Sequence, residues 1–139
     1  MKTYNLATNN HGNDYVVSNI QGRFAVLDQL LERVDFDPAV DRLFATGELT
    51  DNIIGSNRIL EYINTLWFYS IKGAAEQKII SGKFDDWYLA LSPNVQKCIV
   101  AELSRLPEYI TINHRPVYTI FPEKMMCIQL FNTSEKNHI

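Results

Sequence analysis

Three short polar loops carry most of the side chains that can do chemistry in this chain. They span residues 18–22, 47–52 and 73–76, and each contains a glycine. Glu48, Asp51 and Glu76, with Asp14, supply carboxylates that can meet above a sheet and hold one hard cation weakly. His11, His114 and His138 have no cysteine or carboxylate at a metal-binding spacing, so surface roles are expected for them. Gly22, Gly47, Gly55 and Gly73 permit tight turns, but no lysine and serine or threonine complete a phosphate-cradling loop. Asp85 and Asp86 stand before Trp87 and Tyr88, where a helix cap is the expectation. Cys98 and Cys127 are too few and too far apart for a disulfide framework, and both are expected as buried free thiols in a reducing compartment.

The elements that position the loops follow from hydrophobic spacing. Tyr15, Val16 and Val17 form a β-prone run into the first loop. Phe24, Leu27, Leu30 and Leu31 recur at helical spacing, with Asp28, Gln29, Glu32 and Arg33 on the other face. Pro38 is a helix-start candidate within a polar connection. Leu43, Phe44 and Ala45 make a second buried strand. Ile59, Leu60, Ile63 and Leu66 make a second helical stripe after Gly55 and Ser56, and residues 67–71 make a third strand.

The order βαβαβ over residues 14–82 predicts an α/β fold with a parallel sheet, its ligands gathering at the carboxyl ends of the strands. Residues 83–106 read as helical, with Ser92 capping a helix that starts at Pro93. Residues 107–131 read as a short antiparallel β segment. In it, residues 109–112 and 117–120 are strands joined by a turn at 113–116, and 125–131 is a further strand. Residues 132–139 read as a tail. One domain covers the whole chain of 139 residues.

The ordered pattern over residues 15–77 resembles the amino-terminal part of calcineurin-like metallophosphoesterases, in the branch of bacteriophage serine/threonine protein phosphatases. The likeness rests on Phe36, Asp37, Pro38, Asp41, Arg42 and Leu43, on Trp67 and Phe68, and on the three glycine loops in order. It weakens beyond residue 85 but extends toward Leu106 and Pro107. It implies that Asn19 and Gln21 stand where that family has a metal-binding aspartate and histidine. Glu48 stands for the bridging aspartate, and Asp51 and Asn52 for an Asp–Arg pair. Ala74 and Ala75 stand for a metal-binding asparagine and an acid histidine, while Glu76 keeps the family's residue. Phe121, before Pro122, takes the place of a later histidine, and a still later one would fall beyond the length of this chain.

Such a site holds two dications about 3.5–4 Å apart. Neutral amides are weak ligands for such ions and alanines are none. The expectation is therefore a truncated, degenerate phosphatase with no metal and no cofactor: not an enzyme, but a phage-encoded inhibitor of a host enzyme or defence complex. Its partner would be an unidentified host protein, with homodimerisation a further arrangement. The alternative is a weak metal-dependent phosphoesterase using Glu48, Asp51 and Glu76. A net charge of -3 argues against direct nucleic-acid binding. No apolar run approaches the ~20 residues of a membrane helix. No basic flank precedes an apolar stretch at the amino terminus, so the cytoplasm is the expected location.

Overall fold

The computed structural model describes residues 1–51, 53–118 and 126–131. At its centre lies a strand with no wet side, Asp14–Ser18, buried at all five positions. Side chains alternate across a strand. Tyr15 and Val17 therefore enter one apolar cluster while Val16 enters another on the opposite face. Two buried faces explain why this stretch reads as a continuous apolar run and not as an alternation.

In chain order the strands are Thr3–Leu6 (β1), Asp14–Ser18 (β2), Arg42–Ala45 (β3), Phe68–Ser70 (β4), Tyr109–Ile112 (β5), Arg115–Pro116 (β6) and Cys127–Phe131 (β7). The helices are Phe24–Arg33 (α1), Ile59–Ile63 (α2), Ala74–Ile80 (α3), Asp86–Leu89 (α4) and Pro93–Ser104 (α5), with a 3₁₀ turn at Ile54–Arg58 leading into α2. The larger sheet has the order β4-β3-β2-β7. Its strands β2, β3 and β4 are parallel, joined through α1 and α2 as the sequence predicts, and β7 runs antiparallel along β2. The smaller sheet has the order β1-β5-β6.

The layers follow from the alternation. On one face of the larger sheet, Tyr15, Val17, Leu43, Ala45 and Phe68 pack under Phe24 and Leu27 of α1, Ile59 and Tyr62 of α2, and Ile99 and Leu103 of α5. On the other, Val16 and Phe44 meet Ile110 and Ile112 of the smaller sheet. The order is thus helices, sheet, sheet. A fully buried side chain such as Phe44 contributes roughly 2–3 kcal/mol through its apolar area.

Several expectations are corrected. Pro38 starts no helix: residues 37–41 close as a turn, with Asp37 accepting at its carbonyl from Val40 (3.1 Å) and Asp41 (2.7 Å). The Asp41 carboxylate locks that turn by accepting from the Asp37 and Asn13 amides (2.8 and 2.7 Å). Leu66 belongs to no apolar stripe; it lies beyond the end of α2 and is 95% exposed. Arg115 and Pro116 are strand, not turn, so the hairpin turns on Asn113 and His114 alone, both at positive φ (51° and 64°). Of the expected strand at 117–120, Val117 still donates to the Ile110 carbonyl at 2.9 Å although the strand ends at Pro116, and 119 and 120 lie outside the described residues. Cys98 is exposed and Cys127 half-buried, though both are free thiols as expected. Ser92 caps α5 as predicted, its hydroxyl accepting from Val95 at 3.4 Å. Asp85 occupies the cap position of α4 without a side-chain cap bond and pairs instead with Lys78.

Candidate functional site

The parallel register of β2, β3 and β4 brings three loops side by side at one pole. In the first, Asn19 (φ 58°) and Gln21 (φ 49°) flank Ile20, whose side chain is fully buried. Glu48 (φ 53°), after Gly47, takes the same left-handed conformation in the second. Non-glycine residues adopt this region rarely, at a cost of order 1 kcal/mol or more each, and persist where the surroundings over-determine them. The surroundings here are other loops: Gln21 donates to the Glu48 carbonyl at 2.8 Å and Gly22 to the Leu49 carbonyl at 2.9 Å.

Glu76 ties in the third loop. Its Oε1 accepts from Gly73 (2.8 Å) and Glu48 (3.0 Å), and its Oε2 from Leu49 (3.0 Å). The side chain is fully buried. Burial pushes its carboxyl up to about 7, against the opposing pull of the three N–H donors, and the neighbouring Glu48 charge adds to the rise. Glu48 in turn accepts at Oε1 from Ala75 (3.3 Å). Gly73 is required by this closeness, because a Cβ there would lie 2.9 Å from the Glu48 amide nitrogen.

Behind the second loop, the buried Ser56 hydroxyl accepts from the Asp51 amide (3.1 Å) and donates to the Asp51 carbonyl (2.7 Å). Arg23 donates from its guanidinium to the carbonyls of Asn19 and of Ile20 (3.3 Å). Sequence reasoning gave Arg23 no role and Ser56 only a place before a helix. The available signals were a cation directly after Gly22 and a serine directly after Gly55.

Asn19, Gln21, Glu48, Asp51, Ala74, Ala75 and Glu76 therefore line one pole; Asn52 and Phe121 lie outside the described residues. Asp14 does not join them. It sits at the opposite end of β2, bound to Arg42 through Oδ1 (2.8 Å) and Oδ2 (2.7 Å), which corrects the expected meeting of all four carboxylates. Both oxygens of Glu76 are committed to backbone amides. Among the described residues, no three His, Cys, Asp or Glu side chains are grouped to hold a metal. At this pole Asn19 and Gln21 offer neutral amides, Ala74 and Ala75 methyl groups, and Glu76 a carboxylate already bound to backbone, which leaves Glu48 and Asp51 as the further carboxylates, fewer anionic donors than a pair of dications takes.

This fold and part of this sequence are shared with known proteins. A crystal structure described as that of "a putative diadenosine tetraphosphatase" superposes with a TM-score of 0.59 at 29% identity, over 81% of this chain and 50% of the other. The chain has the calcineurin-like metallophosphoesterase fold. Within that fold, the symmetrical bis(5'-nucleosyl)-tetraphosphatase of Pseudomonas putida (strain W619) is 40% identical over 84 residues, covering 60% of this chain and 26% of the relative. Serine/threonine-protein phosphatase 2 of Escherichia coli (strain K12) is 25% identical over 114 residues, covering 72% and 52%. The chain thus spans about a quarter to a half of the relatives it matches. No family model matches it.

These matches overturn the expectation that the chain is not an enzyme. Proteins named for catalysis match it at moderate identity over most of its length, which supports retained enzymatic potential. The readings as a pseudophosphatase, an inhibitor and a bacteriophage factor acting on a host conflict with that similarity. Among the described residues, no helix is long and apolar enough to cross a membrane.

Proposed function

We propose that this chain is a slow phosphoric ester or anhydride hydrolase that takes its substrate at the pole formed by the loops after β2, β3 and β4. The convergence of those loops, each tied to the next by backbone bonds and by Glu76, carries this reading. The proposed substrates are dinucleoside polyphosphates, the class named in most of the relatives, with phosphoproteins second. In this reading the Asn19 and Gln21 amides donate to phosphoryl oxygens. The Glu48 carboxylate takes a proton from water as the water oxygen bonds to phosphorus. The P–O bond to the leaving group breaks, and solvent protonates the departing oxygen. Glu76 holds Glu48 and Leu49 in place and does not touch the substrate. The two free thiols suit a reducing compartment such as the cytoplasm.

The test is release of product from diadenosine tetraphosphate and from p-nitrophenyl phosphate, with and without added Mn²⁺, for the native chain and Glu48→Gln. Turnover reduced about 100-fold or more by the substitution is expected, the range for a general base. No turnover by the native chain under any condition, or equal turnover by both proteins, would overturn the reading.

A further inference from the structure

A second concavity lies at the opposite pole, near the amino ends of the strands, and nothing in the proposed hydrolysis uses it. It is a cavity of about 340 Å³ between the end of α1, the 3₁₀ turn with α2, and the segments that lead into β3 and β4. Its floor is aromatic. Phe36 and Trp67 stand 5.0 Å apart between centroids at 57°, and Tyr62 meets Trp67 at 5.8 Å and 82°. Rings set at such angles form a cup, not a stack, and Phe36 and Trp67 are only half-buried.

Its rim is acidic. Asp28, Glu32 and Glu61 line the cavity against a single guanidinium, Arg58, leaving an excess of two negative charges (three less one). Arg58 is not available to an incoming anion: it is bound to Asp28 at 2.8 Å and forked onto Glu61 at 3.0 Å through both Nε and Nη2. Glu32, one helical turn beyond Asp28, has no ion-pair partner among the described residues. An aromatic cup with surplus carboxylate at its lip is complementary to one ligand chemistry, a cation carried on an apolar body, since the ring faces attract positive charge and the carboxylates add to it.

We propose that this cavity binds an organic ammonium ion, with the cation over the Trp67 and Phe36 rings and Glu32 as its counter-charge. A free amine and a lysine side chain carry this chemistry equally. The site is separate from the hydrolytic pole, so its test does not depend on turnover.

Calorimetric or NMR titration of the full chain with choline is compared with its neutral isostere, 3,3-dimethylbutan-1-ol. Choline is expected to bind about fivefold more tightly, as an ordinary cation–π contact gives. Glu32→Gln is expected to weaken choline about threefold and leave the alcohol unchanged, the scale of one exposed charge. Trp67→Leu should lower choline affinity further, and the exposed Glu32 variant keeps the test sound if Trp67→Leu disturbs folding. A parallel titration with N-acetyl-lysine methylamide separates the sources: saturable binding points to a protein side chain, and binding of choline alone to a small free amine. Equal affinity for choline and the alcohol, no binding of either cation, or no effect of Glu32→Gln on cation binding would overturn the proposal.

Discussion

Glu76 accepts three backbone N–H bonds in a fully buried setting, and the balance between those two facts fixes its titration. Hydrogen bonds to the carboxylate favour ionisation and burial opposes it; burial prevails, and the group titrates near 7 instead of 4.5. The folded state therefore binds this proton more tightly than the unfolded chain. Its contribution to stability is fully present below about 4.5 and is lost as pH rises through about 7. The loss amounts to roughly 3 kcal/mol at most, on the scale of 1.36 kcal/mol per pKa unit. Denaturant midpoints measured between pH 4.5 and 8 should fall with pH in the native protein, and that slope should be reduced in Glu76→Gln. Parallel profiles in the two proteins would contradict the assignment. In sequence, Glu76 is grouped with Asp14, Glu48 and Asp51 as a candidate cation ligand, and nothing local marks it instead as an acceptor of backbone bonds. Two of its three donors lie 27 and 28 residues earlier, so only the assembled loops decide between those readings.

The 3₁₀ turn before α2 is held against the first loop by a contact that leaves no room for a side chain. A Cβ on Gly55 would stand 2.3 Å from the Gly22 carbonyl oxygen, while one on Gly82 would meet nothing within 4 Å. Gly55→Ala should therefore cost about 1–3 kcal/mol through forced displacement of backbone. It should also speed amide exchange at Gln21 and Gly22, whose bonds to Glu48 and Leu49 depend on the same packing. Gly82→Ala, at φ 93°, should cost about 1 kcal/mol from conformation alone and leave those amides unchanged. Equal exchange at Gln21 and Gly22 in both variants would refute the coupling. The elements around these loops were legible because β2, α1, β3 and α5 carry their burial in their spacing. β1 was not: Thr3–Leu6 has three exposed positions of four, and its partner β5 lies 106 residues onward, where no local pattern points to it. Leu66 misled for the opposite reason, an apolar residue at helical spacing just past the point where the helix had stopped. The candidate loops themselves were legible as glycine-bearing breaks after apolar runs, but the left-handed conformations were not: Gln21 and Glu48 are bonded to each other across two loops, and the Asn19 carbonyl is held by Arg23.

Across the whole molecule, the smaller sheet packs its apolar face against the larger. Val16 and Phe44 lie between the two, both fully buried, against Ile110 at 1% exposure and Ile112 at none. Phe44 also stacks on Tyr69 at 4.9 Å, and the Arg42 guanidinium lies 5.4 Å from the Phe44 ring centroid, so one side chain joins three neighbouring structures. Sheets of three short strands have little stability unless a hydrophobic face is covered. It follows that β1, β5 and β6 should not outlast the loss of their contact with β2 and β3. Phe44→Ala should destabilise the protein by about 3–5 kcal/mol, the usual cost of a buried phenylalanine cavity. The lost stability should appear as one shifted transition, because both layers share the cavity. Equilibrium unfolding followed by tryptophan emission, with Trp67 and Trp87 on the helical side, and native-state amide exchange at Ile110 and Ile112 in the smaller sheet, should shift by the same free energy. If exchange at Ile110 and Ile112 were already set by a lower free energy in the native protein, or failed to move in the variant, the smaller sheet would be an independently opening layer. Phe44 would then support only the half of the fold that carries the three loops.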